Sequence, residues 1–186
     1  MPYQDVIKET KLRMQKSYEH LQHEFSGIRT GKASPALVED IRVDYYGSMT
    51  ALRELAGITT PEPRLIVIQP WDQTAVPAIT KAIQASSLGI TPVDDGRIVR
   101  VPIPELTEER RKELDKHIKH MAEEARVSAR NVRREEIDKF KKMQKSKDIT
   151  EDDLRDAEKE VQEITNNITD KINVLLKDKE EEIFTV

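Results

Sequence analysis

Cysteine is absent from this 186-residue chain, which excludes disulfides, thiolate metal sites and a cysteine nucleophile. A cysteine-free chain also fits a reducing cytoplasm. Aromatic residues are scarce, at 4%, beside a charged fraction of 35%. That combination favours long, exposed helices over a compact globule. No apolar run approaches the roughly 18 residues of a membrane span. The N-terminal residues Met1 to Asp5 lack the basic and apolar regions of a signal peptide. These absences predict a soluble, cytoplasmic protein with no membrane partner. The length suits one large domain or two small ones.

Proline is not scarce but is unevenly placed. Eight of the nine prolines fall between residues 33 and 104, and helical periodicity vanishes there. Outside that stretch the apolar residues keep a helical rhythm. Ile7, Met14, Tyr18, Leu21, Phe25 and Ile28 mark a first helix that ends near Gly27 or Gly31. Thr107 is a good N-cap for a second, with Glu108 and Glu109 in its first turn. Its stripe runs through Leu114, Ile118, Met121, Ala125, Ala129 and Val132. The next step, Glu136, is polar, so the stripe is expected to drift to Ile137, Phe140 and Met143. A third helix opens at Thr150 with Asp153 three residues on, a pattern like a capping box. The link Ser146 to Ile149 is short, so the second and third helices are expected to be antiparallel neighbours. Such helices are unstable singly in water, and together they predict a three-helix bundle.

The proline-rich stretch reads as a small β/α/β module. Ile41, Val43 and Tyr45 alternate as in a strand, and Leu65 to Ile68 suits a buried one. Residues 75–87 read as a helix with Pro77 tolerated in its first turn. Asp95-Gly96 suits a hairpin turn before Ile98 to Ile103. The expected fold class is therefore α+β. Residues 1–30 and 106–186 form the bundle, and 31–105 form an inserted domain. Two chain crossings, at Thr30-Gly31 and at Pro104-Glu105, are expected to act as a hinge.

Charge is also uneven. The chain carries −4 overall. From Glu108 to Lys147, fourteen Lys or Arg face nine Asp or Glu, a balance of +5. From Thr150 onward five basic residues face twelve acidic ones, a balance of −7. Lys112, Lys116, Lys119, Arg126, Arg130 and Arg133 recur at helical spacing along one stripe, with Glu123 in the missing step. A basic helix in an acidic protein is either a solvated face or a polyanion-seeking one.

Other chemistry finds little support. The segment from Gly27 to Ala33 has three residues between its glycines, not four, and Ala33 after Lys32, so it fails as a phosphate loop. The histidine pairs His20/His23 and His117/His120 lack the Glu-x-x-His pattern of bundle metal centres and read as surface residues. No metal, cofactor or catalytic residue is expected. Trp71 is expected to pack at a strand end rather than stack on a base.

Several motifs then stand in order. They are Ile28 to Pro35 (IRTGKASP), Asp44 to Gly47 (DYYG), Leu52 to Ala56, Leu106 to Leu114 (LTEERRKEL) and Val127 to Arg134 (VSARNVRR). Over essentially its whole length the chain resembles bacterial ribosome recycling factors. The resemblance implies a long bundle and a smaller domain set in an L shape like a transfer RNA. It also implies a non-enzymatic, monomeric translation factor that recycles the post-termination ribosome. The implied partners are elongation factor G with GTP and the rRNA of the large ribosomal subunit. Family knowledge points to the arginines at Arg110, Arg130 and Arg133 as RNA contacts. Arg134, Arg126, Arg29 and Lys32 complete the expected rRNA-binding set. Lys32 stands where the family often has Arg, which keeps the charge but not the guanidinium fork. Thr30, Gly31, Pro104 and Glu105 are the expected hinge residues. Two other classes compete. One is a non-catalytic coiled-coil adapter or chaperone, which needs neither basic stripe nor second domain. The other is a bundle metalloenzyme, which the histidine spacing opposes.

Overall fold

The structure, a computed structural model, describes residues 3–185. In chain order its elements are α1 (Gln4–Ser26), β1 (Arg42–Tyr45), β2 (Ser48–Ala51), α2 (Leu52–Leu55), β3 (Ala56–Glu62), β4 (Leu65–Pro70), α3 (Val76–Ala85), β5 (Val93–Asp94), β6 (Val99–Pro102), α4 (Glu108–Lys145) and α5 (Glu151–Thr185). The chain is α+β and forms two compact units. One comprises Met1–Phe25 and Lys112–Glu181, the other Ser26–Arg111 and Glu182–Val186.

The first unit packs α1, α4 and α5 lengthwise. Pairs between α4 and α5 run Lys119–Glu180, Arg126–Asn173 and Arg133–Gln162. One number rises as the other falls, so these helices are antiparallel, as the short link predicted. Pairs between α1 and α4 run Arg13–Glu136 and Ser17–Ser128, again antiparallel. Thr165 bonds Met14 and Lys171 lies over Tyr18, so α1 and α5 are parallel. At 38 residues, α4 is about 57 Å long. Both expected caps are formed. Thr107 Oγ1 accepts from Arg110 N, and Thr150 and Asp153 exchange hydrogen bonds in a capping box. The backbone N–H of Thr150 and then its hydroxyl hold the Asp153 carboxyl below the usual carboxylate range.

The core follows the stripes with three differences. On α4 Ala122 is fully buried, and the expected Met121 and Ala125 beside it are half-buried. Thr10 fills the step between Ile7 and Met14, its hydroxyl donating to Val6 O. Ile137, Phe140 and Met143 join the core as expected, but the stripe does not leave Glu136 outside it. Glu136 itself is 0% exposed, between buried Val132 and Phe140. Its Oε1 accepts from Arg13 Nη1 at 2.6 Å and from Lys139 Nζ at 2.8 Å. Arg13 reaches from α1 and also holds Glu135 at 2.7 Å. A charge occupies a core position because a partner helix supplies a counter-charge, which one helix's periodicity cannot reveal.

In the second unit, β3-β4-β6-β5 form an antiparallel sheet and β1-β2 a separate hairpin. Ile66 and Ile68 of β4, Val99 and Val101 of β6, and Ile79 and Ile83 of α3 share its core. β2 and β3 are additions to the predicted strands. β3 is an edge strand carrying Gly57 and Pro61, with a register shift between Thr59 and Glu62, and edges are where proline is tolerated.

Candidate nucleic-acid interface

The bundle's basic stripe is real but not uniformly available. Lys112, Lys116, Arg130 and Arg134 are exposed, while Arg126 and Arg133 are half-buried beside the core residues Ala129 and Val132. The half-buried pair lean onto α5. Arg126 Nη1 donates to Asn173 Oδ1 at 2.6 Å, and Arg133 Nη1 to Gln162 Oε1 at 3.1 Å. Glu123 bridges two of the arginines. Its Oε2 accepts from Arg126 Nε at 2.9 Å and its Oε1 from Arg130 Nη2. Those bonds, Arg126 first and Arg130 second, hold the Glu123 carboxyl below the usual carboxylate range. Lys119 is paired with Asp115 at 2.7 Å and Glu180 at 3.6 Å. Among the described residues Lys112, Lys116 and Arg134 have no hydrogen-bond or ion-pair partner. This surface can do one thing chemically, which is to offer guanidinium and ammonium donors to anionic oxygens.

The structure therefore gathers Arg126, Arg130, Arg133 and Arg134 within two turns of one helix. Arg29, Lys32 and Arg110 belong to the other unit. Arg29 is half-buried and donates to Leu88 O at 3.0 Å, so it also anchors the segment after α3. Lys32 and Arg110 are exposed, and Arg110 is out of step with the stripe's helical period.

The residues of the two connections are tied within the second unit. Thr30 is buried, and its hydroxyl donates to Glu182 Oε1 at 2.7 Å. Arg111 donates to Ile183 O. The β3–β4 turn holds both connections, since Ala33 N donates to Pro63 O and Ile103 N to Arg64 O. Arg64 pairs with Glu105 at 2.8 Å, and Pro104 is exposed. Gly31 adopts φ +82°, a conformation that favours glycine.

Sequence reasoning placed one aromatic but not its exposure, and overlooked another. Trp71, expected to pack at a strand end, is 74% exposed and lies across Gly57, whose missing side chain leaves room for the ring. Tyr46 is 80% exposed at the tip of the β1–β2 hairpin. It adopts φ +49° there, next to Gly47 at +80°, the two left-handed residues of a type I′ turn. The Tyr-Gly pair between alternating residues was the signal for that hairpin. The network of Arg13 with Glu136 carried none beyond a polar residue at an apolar step. Among the described residues no group of His, Asp and Glu could hold a metal ion, and no helix is long and apolar enough to cross a membrane.

Comparisons with known proteins agree with the motifs. The ribosome recycling factor family profile matches residues 21–184. The ribosome-recycling factor of Caldicellulosiruptor saccharolyticus is 50% identical over 186 residues, all of both chains. That of Bacillus licheniformis is 48% identical, covering 97% of this chain and 98% of the relative. A solution structure of a ribosome recycling factor superposes with TM-score 0.81 at 44% identity, covering 100% of this chain and 99% of the other. A second solved chain has TM-score 0.70 at 45% identity, covering 98% and 99%. It comes from a description of the T. thermophilus ribosome recycling factor and the E. coli elongation factor G bound to the E. coli post-termination complex. By sequence and by fold alike, this chain belongs to the ribosome recycling factor family.

Proposed function

We propose that this chain binds the large ribosomal subunit through rRNA phosphates along α4. With elongation factor G and GTP it then separates the post-termination ribosome into subunits in the cytoplasm. The observation that carries the RNA contact is the arginine group on α4 in a chain whose net charge is −4. Guanidinium forks match phosphate oxygens, and each neutralised phosphate releases counterions. Such contacts orient a rigid body more than they read bases. The protein contributes binding and leverage, and the GTPase chemistry is the partner's. Arg29, Lys32 and Arg110 are proposed as further phosphate contacts from the second unit. The connections at Thr30-Gly31 and Pro104-Glu105 are proposed to flex during the cycle, with the Thr30–Glu182 hydrogen bond opening as they do.

The test is co-sedimentation with purified large subunits across a salt series. Arg133→Ala is expected to weaken binding several-fold to about a hundredfold, since a charge-assisted hydrogen bond contributes about 1.5–3 kcal/mol. Its salt dependence is expected to flatten by about one phosphate contact. Arg133→Lys recovers part of the loss, because an ammonium cannot form the fork. Lys159→Ala, on the acidic α5, serves as control. Normal binding by Arg133→Ala beside a defect in Lys159→Ala would place the RNA-facing surface on the other side of the bundle.

A further inference from the structure

Glu123 interrupts the basic stripe at the one step where a cation is missing, and it does so with both carboxylate oxygens. One oxygen takes the Nε–H of Arg126 and the other an Nη2–H of Arg130. Glu123 lies three residues before Arg126 and seven before Arg130, so a single carboxylate spans about two helical turns of cations. The Arg130 side of the bridge is open to water, with the Glu123 side chain 50% exposed and Arg130 45% exposed, while Arg126 is 23% exposed and also holds Asn173. A carboxylate and a phosphate present the same thing to a guanidinium, a negative pair of acceptor oxygens. The stripe and its neighbour Arg134 thus hold two kinds of cation. Lys112, Lys116 and Arg134 have no partner among the described residues, whereas Arg126 and Arg130 are already satisfied by an internal anion.

We propose that Glu123 is an internal competitor for phosphate, a latch that RNA must displace from Arg126 and Arg130. This rests on the reading of α4 as the RNA-facing surface and adds what sets the strength of that contact. The exposed cations capture the polyanion first. Glu123 then leaves into solvent as backbone phosphates take its place, and it returns when the RNA departs. Because the anion is covalently attached, its local concentration does not depend on the medium. The latch lowers affinity and speeds release, which suits a factor that leaves the ribosome in every cycle. It also discriminates. A dense row of phosphates can replace both bonds of Glu123 at once, while an isolated anion replaces one and is repelled by the carboxylate that remains.

The experiment uses the full-length protein and purified large subunits, with equilibrium binding and dissociation rates measured across a salt series. Glu123→Gln keeps the shape and removes the charge. It is expected to bind about threefold to tenfold more tightly at low salt, the scale of one or two exposed ion pairs. Dissociation should slow by a similar factor. The gain should fade as salt rises, with the salt dependence steeper by up to about one phosphate contact. Glu124→Gln removes the same formal charge from the neighbouring residue, which pairs with His120 and touches neither arginine. It should change binding by less than about twofold, as an isolated exposed charge does. Adding Glu123→Gln to Arg126→Ala/Arg130→Ala should give no gain. If Glu123→Gln binds equally or more weakly while Arg130→Ala weakens binding, the latch is overturned and the RNA surface stands. A Glu123 that only orients the arginines would give that result. A gain shared equally by Glu124→Gln also overturns it, reducing the effect to overall charge. If Arg130→Ala and Arg133→Ala both bind like the unaltered protein, the surface assignment fails and the latch falls with it.

Discussion

Replacing Arg13 with Met tests the buried ion pair of the bundle. Met keeps an apolar stem of similar reach and removes the charge. Glu136 is 0% exposed, and its Oε1 is held by Arg13 at 2.6 Å and by Lys139 at 2.8 Å. Its Oε2 has no partner. After Arg13→Met a buried carboxylate would keep one ammonium, itself 50% exposed. Removing one partner of a buried pair typically costs 3–5 kcal/mol. Arg13 is 37% exposed and Lys139 remains, so we expect a cost at or just below the bottom of that range, about 2–4 kcal/mol. For a chain of this size that lowers the melting temperature by about 5–15 °C. Glu136→Leu should behave differently. It continues the apolar stripe between Val132 and Phe140, and Arg13 retains Glu135 at 2.7 Å. Its stability should lie within about 1 kcal/mol of the unaltered protein or exceed it. The double variant should resemble Glu136→Leu, so the coupling energy should equal the cost of Arg13→Met alone, about 2–4 kcal/mol. Urea unfolding followed by circular dichroism at the helix band reports the bundle. Trp71, the sole tryptophan and a residue of the other unit, reports that unit by fluorescence. If Arg13→Met unfolds within about 0.5 kcal/mol of the unaltered protein and the two changes are additive, the ion pair contributes nothing and the argument fails.

Further outcomes follow from other parts of the structure. Asp153 has a folded pKa below its unfolded one, so its stabilisation is present at neutral pH. It is lost as pH falls from the ordinary carboxylate range through the depressed folded value. Asp153→Asn should therefore flatten the acid side of the bundle's stability profile, and an unchanged acid limb would count against the capping box. Gly31→Ala should cost about 1–2 kcal/mol through the left-handed backbone. The added Cβ would meet Leu106 Cγ at 3.4 Å, so steric clash adds little, and refolding yield should be unaffected. Joining Phe25 to Lys112 with a flexible Gly/Ser linker should leave a helical bundle that unfolds cooperatively, because the helix-helix pairs from Arg13 to Lys171 lie within it. A gradual, non-cooperative melt of that protein would show that the bundle needs the other unit.

The three helices and their caps were legible in the sequence because each signal is local. Apolar spacing of 3.6 residues, Thr107 before a glutamate pair, and Thr150 three residues before Asp153 all act within one or two turns. The α4 arginines were legible for the same reason, since helix period alone puts Arg126, Arg130 and Arg133 on one stripe. Strand β3 was not legible. Its Gly57 and Pro61 argue against a strand, and only its place at the edge of the sheet makes them acceptable. Trp71 packs at the strand end as expected, but its exposure was not legible, because a side chain's cover depends on what crosses it. Glu136 was read as a polar step that the apolar stripe drifts around, yet it is core, because Arg13 of another helix pairs with it there. Glu123 was visible as a gap in a row of cations. That it grips two of them was decided by rotamers and by α5, whose Asn173 and Gln162 draw Arg126 and Arg133 down beside it. Periodicity determines which face a residue occupies. What that face meets, and therefore which charges stay free to bind, is decided only when the helices pack.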